Sequence, residues 1–330
     1  MNQETETSLA PGGDTRARVT GSPWAIAHAV IGDTWTQLIL REAFFGVRRF
    51  TDWSRNLGIP RSVLTDRLQR LCEAGVLEKR VPSNAKRAEY RLTAKGQDLC
   101  GAAILQSIWE RDHASSAMQR RYALSFYDAR TNQPIRPGVL DAPHGRTIDA
   151  RDMTIVEGPG LAARAPPDKR RLSSSRMSPG RPMIERSVNI IGDYWSWAVI
   201  GSLFLGIRRF DDIATATGMA PNILSDRLTR LSHEKVLARV RSANDRYHEY
   251  RLTQAGLDLY PLIVAIYGWF ERWLCEFDRP PLQLVRRATG EPISPVVCDL
   301  LTGKPINWRY VRWRLEAPSG VRSRPSQSAA

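Results

Sequence analysis

One segment of this chain is written twice. Residues 63–80 read VLTDRLQRLCEAGVLEKR, and residues 223–240 read ILSDRLTRLSHEKVLARV, 160 positions further on. Aligned without a gap, residues 31–96 and 191–256 are identical at 26 of 66 positions. Solenoid repeats recur every ~20–50 residues, so this much longer period indicates a duplicated domain. The fold of one copy therefore predicts the fold of the other.

Each copy begins with helical patterns separated by glycine. Asp33 is a predicted N-cap for an amphipathic helix that ends at Gly46, and a second short helix follows Phe50 and stops at Gly58. The repeated segment forms a third helix after a turn of two or three residues. All these positions have counterparts 160 residues later. Two helices joined by such a tight turn are typical of a helix-turn-helix.

Two predicted strands follow the third helix in each copy. In copy one they cover residues 76–81 and 88–92 around a polar tip, which makes a basic hairpin, or wing. Thr93 and its counterpart are predicted N-caps of a long C-terminal helix. Its apolar stripe in copy two is interpreted as partly core and partly a helix–helix interface. The predicted fold class is α+β, with two tandem winged helix-turn-helix domains, each followed by a short β-rich tail.

Composition sets the predicted domain boundaries. The segment at 158–182 is rich in Pro, Gly, Ser and Arg and cannot bury a core. The predicted order is a disordered N-terminal arm at 1–20, a first winged-helix domain at 21–117, a β-rich tail at 118–157, a basic flexible linker at 158–182, a second winged-helix domain at 183–278, a β-rich tail at 279–317 and a disordered C-terminus at 318–330.

The net charge of +14 and a pI near 10.1 favour a polyanionic partner. Nucleic acid comes first and an anionic membrane surface second, with a generically basic protein as the alternative. No run of 18 apolar residues is free of charge, so we expect no membrane span. The polar N-terminus is unlike a secretory signal, and four cysteines without C-x-x-C spacing fit a reducing compartment. We expect a cytoplasmic protein.

The third helix has one face suited to a DNA groove. On a helical wheel Leu64, Leu68 and Leu71 fall together and anchor it on the core. Short polar side chains and arginines cover the other side, as major-groove readers do. The predicted reading residues are Arg61, Ser62, Thr65, Asp66, Gln69 and Arg70 in copy one, and Asn222, Ser225, Asp226, Thr229 and Arg230 in copy two.

An Asp-Arg pair occurs at the same position of this helix in both copies, and its side chains are expected to have other roles than base reading. Asp66 and Asp226 are expected to orient a neighbouring arginine, with acceptance from a cytosine amino group as the alternative. Arg67 and Arg227 lie nearer the apolar flank, where a structural ion pair is favoured over base reading. These four residues would then shape the reading face.

Basic residues around the wings are predicted to contact phosphates or a minor groove. A solvated basic hairpin is the alternative, and for the arginine pairs before the second helix the two readings are evenly balanced. The predicted contacts are Arg48, Arg49, Lys79, Arg80, Lys86 and Arg87 in copy one, and Arg208, Arg209, Arg239, Arg241 and Arg246 in copy two.

The combination of IGDTW, FFGVRRF, VLTDRLQRL, AGVLEKR and EYRLTAKG, with IGDYW, FLGIRRF, ILSDRLTRL and EYRLTQAG in copy two, resembles the HxlR-type winged-helix transcriptional regulators, a bacterial family related to MarR. The resemblance covers about half of the chain. It implies a cytoplasmic repressor or activator that binds double-stranded DNA. Members usually pair as homodimers through terminal helices, so the two copies here imply an intramolecular pseudo-dimer, with a further homodimer left open.

Two departures from the family pattern limit what carries over. Many members have a redox-sensing Cys-Pro pair before the Ile-Gly, whereas this chain has Ser22-Pro23 and Arg181-Pro182. In the tail, Cys298 has Leu301 where a cysteine partner would stand. We therefore expect neither thiol sensing of that kind nor a metal site, and no cofactor; any small-molecule effector is left unnamed.

Other functions find less support in the sequence. The five histidines form no H-E-x-x-H motif, and neither a nucleophile elbow nor a dinucleotide-binding loop is present, so we expect no enzyme. RNA binding lacks an aromatic platform. The main alternative is a protein-interaction or ligand-binding module in which one winged helix has lost DNA binding. Copy two is the better candidate, because Pro221 replaces Arg61 and Asp245 lies in its wing.

Overall fold

The computed structural model describes residues 19, 21–81, 87–113, 123–160, 184–242, 247–275 and 279–316. Copy one, preceded by helix α1, has three helices, a two-stranded wing and two further helices. In chain order these elements are α1 (Pro23–Ile31), α2 (Thr34–Phe44), α3 (Phe50–Leu57), α4 (Arg61–Glu73), β1 (Leu77–Arg80), β2 (Glu89–Leu92), α5 (Ala94–Gln97) and α6 (Cys100–His113). Strands β1 and β2 pair antiparallel, from Leu77 opposite Leu92 to Arg80 opposite Glu89.

Copy two repeats this order of elements. They are α7 (Glu185–Ile191), α8 (Tyr194–Phe204), α9 (Phe210–Thr217), α10 (Pro221–His233), β7 (Leu237–Arg241), β8 (His248–Leu252), α11 (Gln254–Leu257) and α12 (Tyr260–Trp273). Strands β7 and β8 pair antiparallel, from Leu237 opposite Leu252 to Arg241 opposite His248. The fold class is therefore the predicted one, α+β with two winged helix-turn-helix domains.

A β-rich tail follows each winged helix. The tail strands are β3 (Ala123–Asp128), β4 (Pro137–Asp141), β5 (Arg146–Thr147) and β6 (Met153–Glu157) after copy one, and β9 (Leu282–Arg286), β10 (Pro295–Asp299) and β11 (Val311–Glu316) after copy two. Strands β3 and β11 pair antiparallel, as do β6 and β9, while β10, β4 and β5 form a three-stranded sheet in that order. The β3–β11 and β6–β9 pairs thus join a strand of the first tail to a strand of the second.

Two compact units divide the chain, and neither is continuous in sequence. The repeat-one unit takes its described residues from Val30–Gly138, Ser174–Asn189 and Val297–Ala330. The repeat-two unit takes them from Met1–Ala29, Val139–Ser173 and Ile190–Val296. Each unit therefore holds one winged helix, part of the helix that precedes the other copy, and strands from both tails. These units group residues by their contacts and do not test the domain boundaries expected from the sequence. Those boundaries stay a prediction.

Helix α1 precedes copy one in sequence but packs in the repeat-two unit, and we call α1 and α7 the exchanged helices. Trp24 of α1 donates its indole N–H to the carbonyl oxygen of Ile263 at 2.8 Å, and its ring lies 5.6 Å from that of Tyr267. His28 is buried, with Nε2 3.1 Å from the carbonyl oxygen of Ile191. The apolar stripe of α12 is buried on nearly all sides, except for Trp273, which is 39% exposed. Helix α1 thus supplies part of the cover predicted for that stripe.

Different chemistry holds the exchanged helix of the repeat-one unit. The buried carboxylate of Glu110 on α6 accepts hydrogen bonds from the backbone N–H groups of Arg186 and Ser187, at 3.1 and 2.7 Å. Burial raises the pKa of Glu110, and the bonds from Ser187 and Arg186 oppose that shift. A carboxylate at the amino end of α7 satisfies backbone donors that have no partner within the helix. Ile104 of α6 forms a common core with Leu124 and Phe126 of the tail that follows it.

The structure differs from the sequence-based expectations at three places. Thr93 and Thr253 do cap helices, but the capped helices α5 and α11 are only four residues long, and the long helices start afterwards. Val19, expected in the disordered arm, is helical and 5% exposed. Gly158, at the start of the predicted linker, donates its N–H to Pro281 at 2.9 Å. Residues 161–182 and 318–330 lie outside the described residues.

Candidate nucleic-acid interface

The third helix of each copy has the two faces that the sequence predicts. Leu64, Leu68 and Leu71 of α4 are at most 1% exposed, and the leucines of α10 at 224, 228 and 231 are equally buried. On the other side, Arg61, Ser62, Thr65, Gln69 and Arg70 are exposed in copy one, and Asn222, Ser225, Asp226 and Thr229 in copy two. Arg230 and Asp66 are half-buried. Both helices thus present a polar, partly basic face outside the core.

An ion-pair chain fixes α4 to the start of α2, and we call it the clamp of copy one. Arg67 donates through Nε to the N-cap carboxylate of Asp33 at 2.9 Å and through Nη1 to Asp66. Asp66 also accepts from Arg70 at 3.0 Å. The structural ion pair expected for Arg67 is therefore present, and Asp66 does orient a neighbouring arginine. Two guanidinium groups neutralise this outward-facing carboxylate.

The same clamp recurs in copy two and is more deeply buried. Arg227 donates to Asp193 at 2.6 and 3.3 Å and also to Asp226. The side chain of Asp193 is 1% exposed, against 24% for Asp33. Burial alone would raise the pKa of Asp193, but the bonds and charge of Arg227 and the bonds from Ser196 outweigh it and lower that pKa. The carboxylate therefore stays charged and holds the recognition helix of copy two.

The exposed side chains of α4 are held by local contacts. The guanidinium of Arg61 lies 5.3 Å above the ring of Phe50, which places it at the amino end of the helix. Gln69 donates to Glu73 at 2.8 Å, and the hydroxyl of Thr65 donates to the carbonyl oxygen of Arg61 at 2.9 Å. These weak surface contacts preorganise the side chains and leave them free to change partner when a base edge approaches.

Copy two carries smaller and less charged side chains on this face. Pro221 takes the first helical turn where copy one has Arg61, and Thr229 replaces Gln69 and donates its hydroxyl to the carbonyl oxygen of Ser225 at 2.9 Å. Asn222 and Ser225 are exposed beside it. Since the two faces differ in size and charge, they would prefer different bases.

The wing of copy one is basic, but part of its charge is already paired. Arg80 lies 2.8 Å from Glu78, and Arg49 lies 3.7 Å from Glu89. Lys79 lies 6.0 Å above the ring of Tyr90, which positions its ammonium without neutralising it. Arg87 is exposed, and Lys86 lies outside the described residues. Among the described residues of this wing, Lys79 and Arg87 are therefore the stronger candidates for contact with phosphate.

The wing of copy two spaces its cations differently. Arg239 and Arg241 are both exposed and alternate along β7 with Val240, so they share one face of the strand. Arg209 lies 4.4 Å above the ring of Tyr247, which precedes His248, the strand partner of Arg241. Arg246 is outside the described residues. This hairpin has Ala238 in place of Glu78, so the carboxylate that pairs with Arg80 in copy one has no counterpart.

Backbone contacts join each wing to the segment before the second helix. The carbonyl oxygen of Arg48 accepts the N–H of Tyr90 at 2.8 Å, and Arg208 accepts from Tyr250 at 2.9 Å. The side chain of Arg48 is exposed and that of Arg208 half-buried. The arginine pairs before the second helix are thus tied to the wing strands by backbone hydrogen bonds.

Sequence reasoning missed how the clamp is anchored. Asp33 and Asp193 were predicted only as N-caps, yet each also holds the arginine of the third helix in its own copy. The signal was available, because both members of each pair recur at the same 160-residue spacing. Among the described residues, no group of three His, Cys, Asp or Glu side chains could hold a metal ion, and no helix has the length and apolarity needed to cross a bilayer.

Comparison with known proteins finds bacterial transcriptional regulators among those that are similar to this chain in sequence. An uncharacterized HTH-type transcriptional regulator of Mycobacterium tuberculosis (strain H37Rv) is 39% identical over 153 residues, which are 46% of this chain and 95% of that protein. The HTH-type regulator YvaP of Bacillus subtilis is 32% identical over 95 residues, covering 28% of this chain and 88% of the relative. A solved structure, PA1607, titled as a candidate transcription factor, is 33% identical, with a TM-score of 0.36 over 40% of this chain and 92% of its own.

The family model described as HxlR-like helix-turn-helix matches twice, at residues 30–118 and at residues 190–278. These two matches coincide with the two winged helices and together cover more than half of the chain. The named relatives are bacterial transcriptional regulators. The chain therefore belongs to the HxlR-like helix-turn-helix family of transcriptional regulators.

Proposed function

We propose that both winged helices of this regulator read duplex DNA, each with its third helix in a major groove and its wing on the backbone or in the minor groove. The observation that carries the proposal is the clamp. In both copies it leaves a polar face exposed on the third helix and pairs the aspartate at the centre of that face with an arginine of the same helix. Direct base reading needs such short polar and basic side chains at the groove.

The charge of the face supports binding of a polyanion. An unpaired carboxylate facing DNA would be repelled by phosphates, but Asp66 is paired with Arg67 and Arg70, and Asp226 with Arg227. The exposed wing cations Lys79, Arg239 and Arg241 would add phosphate contacts that do not depend on sequence. Base discrimination would come from the third helix and most of the affinity from the wings.

We also propose that the two copies act as an intramolecular pseudo-dimer, in the cytoplasm. Support comes from the composition of the two compact units, each of which holds a winged helix and a segment that precedes the other copy in sequence. Relatives that match one copy would need two chains for two reading helices, whereas this chain carries both. Each unit thus draws on both halves of the chain, and further pairing of two whole chains is compatible with this.

Specific binding can be tested with the full chain and duplexes selected from a random library. Fluorescence anisotropy of a selected duplex should show affinity that falls with salt, with a log–log slope of about −0.9 for each phosphate contacted. Lys79→Ala should reduce the steepness by about one unit without changing the preferred sequence. Gln254→Ala, on a short helix outside the third helices and the wing strands, is the control. Equal affinity for selected and scrambled duplexes would contradict the proposal.

A further inference from the structure

Strands β3 and β11 of the repeat-one unit form a two-stranded ribbon with one apolar face and one basic face. The strands pair antiparallel along their whole length, so successive side chains of β11 alternate between the two faces. On one face Val311 and Trp313 pack against the common core of this unit. On the other face Arg312 and Arg314 are exposed, about 7 Å apart along the strand. The ribbon is thus anchored by its apolar face and presents two cations to solvent, and we call it the basic ribbon.

The contacts of these two arginines position their guanidinium groups without neutralising them. Arg314 lies 4.3 Å above the ring of Tyr127 and donates to the side-chain oxygen of Asn132. Arg312 donates to the backbone carbonyl oxygen of the residue before it at 3.1 Å. Within the part of the chain that the structure describes, neither guanidinium is paired with a carboxylate. Both charges therefore remain available to an anionic partner.

The basic ribbon adjoins the segment that precedes the second helix of copy one. The ring of Trp313 packs edge-on against that of Phe45, with 4.8 Å between their centroids. Phe45 is the C-cap of α2, and Arg48 follows it by three residues, so their Cα atoms are at most ~11 Å apart. Arg48 is exposed, and its carbonyl oxygen accepts the N–H of Tyr90 in the wing. The ribbon thus packs within a few residues of a predicted phosphate contact.

The corresponding ribbon of the repeat-two unit lacks these two arginines. The pairing of β6 with β9 repeats that of β11 with β3 at an offset of 158 residues, with Met153 opposite Arg286 where Val311 lies opposite Asp128. In β6 the two arginine positions hold Thr154 and Val156. Since β-branched residues suit a strand at least as well as arginine does, the pairing of such a ribbon does not require the arginines. The basic face needs another explanation than the fold.

We propose that the basic ribbon is a further DNA contact, in which Arg312 and Arg314 bind backbone phosphates of the duplex that copy one reads. The choice of duplex DNA as the partner rests on the proposed function. Arginine donates two parallel N–H groups that match the oxygens of a phosphate. Two cations without carboxylate partners, beside a predicted phosphate contact, favour such a polyanion. Because phosphates carry no sequence information, the ribbon adds affinity and leaves the preferred base sequence unchanged.

The test gives the basic ribbon the residues of its counterpart in β6. In the full chain, Arg312→Thr with Arg314→Val should weaken duplex binding at least about tenfold at 0.1 M salt and reduce the steepness of the log–log salt dependence by about two units. Fluorescence anisotropy with a selected and a scrambled duplex measures both quantities. The loss should appear on both duplexes, since both carry the same phosphates.

A matched control removes two other cations of the repeat-one unit. Arg136 and Lys304 are exposed and lie outside the ribbon strands. Arg136→Thr with Lys304→Val lowers the net charge equally and should change the salt dependence by less than about half a unit, because it leaves the proposed contacts in place. Equal losses in the two double variants would show that only net charge matters and would overturn the proposal. Circular dichroism checks folding, and Arg312→Gln with Arg314→Gln serves if the first variant does not fold.

The two duplexes separate failure of the ribbon contact from failure of the proposed function. Unchanged affinity and salt dependence in Arg312→Thr with Arg314→Val would overturn the ribbon contact and leave specific reading by the third helices intact. A natural chain that binds both duplexes equally would contradict specific reading, and the loss on the scrambled duplex would then decide the ribbon contact. Binding of neither duplex would overturn both. Loss confined to a single-stranded oligonucleotide would mean that the ribbon binds unpaired bases, which would also overturn the proposal.

Discussion

Helices α2 and α8 are the first helices of the two winged helices. The two copies make similar contacts on the side of this helix that faces the third helix, and different contacts on its other side. Toward the third helix, Asp33 accepts from Arg67 and Asp193 accepts from Arg227, through Nε in both copies. On the other side, copy one buries Arg41 against Glu42, while copy two has Gly201 beside an apolar cavity. The duplicated domain has kept the apparatus that positions its reading helix.

This difference teaches where the two copies are free to specialise. The clamp joins the N-cap aspartate of the first helix to an arginine and an aspartate of the third helix, and these three residues recur in both copies. On the other side of the first helix the fold accepts different side chains. Copy one has a buried ion pair there, and copy two has an apolar cavity.

The largest effect is expected from the buried ion pair of copy one. Arg41→Ala should reduce the free energy of unfolding by about 3–5 kcal/mol, because Glu42 is left buried without its cation. Urea denaturation followed by circular dichroism measures this. The double variant Arg41→Met with Glu42→Leu removes both charges and should recover most of the loss. A loss below about 1 kcal/mol in the single variant would show that the network does not hold copy one.

The clamps should differ in strength because they differ in burial. Asp193→Asn should cost about 2–3 kcal/mol, since Arg227 keeps a hydrogen-bond acceptor but loses its buried counter-charge. Asp33→Asn, at a more exposed site, should cost about 1 kcal/mol or less. Thermal unfolding of the two variants measures both losses of stability. Equal losses would contradict the inference that the clamp of copy two is the stronger one.

The lowered pKa of Asp193 gives this clamp a defined pH dependence. An unfolded aspartate has a pKa of about 3.9, and the folded one lies below it. The stability from this group is therefore fully present above about pH 4 and is lost as pH falls through the folded pKa. Urea titrations between pH 6 and pH 2.5 should show a steeper acid loss in the natural protein than in Asp193→Asn. Parallel curves would contradict the assignment.

The reading faces should respond independently to substitution. Arg61→Ala with Gln69→Ala should cost about 1–3 kcal/mol of base discrimination, in one half-site only. Asn222→Ala with Thr229→Ala should relax the other half-site. Selection from a random duplex library with each variant measures the change. If the first double variant leaves both half-sites unchanged, our assignment of the reading residues is wrong.

The smallest expected effect concerns the turn after the third helix. Gly75 has a φ of 68° in copy one, and the corresponding Lys235 has a φ of 56°, a region where side chains other than glycine are strained. Lys235→Gly should stabilise copy two by up to about 1 kcal/mol, whereas Gly75→Lys should destabilise copy one by a similar amount. Thermal unfolding measures both changes, and a destabilised Lys235→Gly variant would contradict the argument.

Features set by neighbours in the sequence could be predicted. The caps at Asp33 and Asp193, the stop at Gly58 and the buried leucines of the third helix follow from helical periodicity and capping chemistry. The ion pair of Arg67 could also be expected, because a charge near an apolar flank needs a partner. These residues define most of the candidate reading face.

Features set by distant contacts could not be predicted. Gly96 of helix α5 packs against the carbonyl oxygen of Val76, twenty residues earlier, where a Cβ would lie 2.2 Å away. The indole bond from Trp24 joins residues 239 positions apart, and no local pattern specifies such a pairing. The cavity beside Gly201 is lined by three helices and two tail strands. Contacts between such distant segments cannot be read from local sequence patterns.

The central claim is that both copies read DNA through their third helices. Hydroxyl-radical footprinting of the full chain on a selected duplex tests it most directly, alongside the Arg61→Ala/Gln69→Ala and Asn222→Ala/Thr229→Ala variants. We expect one protected site with two unlike half-sites centred about 10 base pairs apart or a multiple of that, each weakened by one variant only. Protection of a single half-site that only one variant weakens, or no discrete protected site, would contradict it.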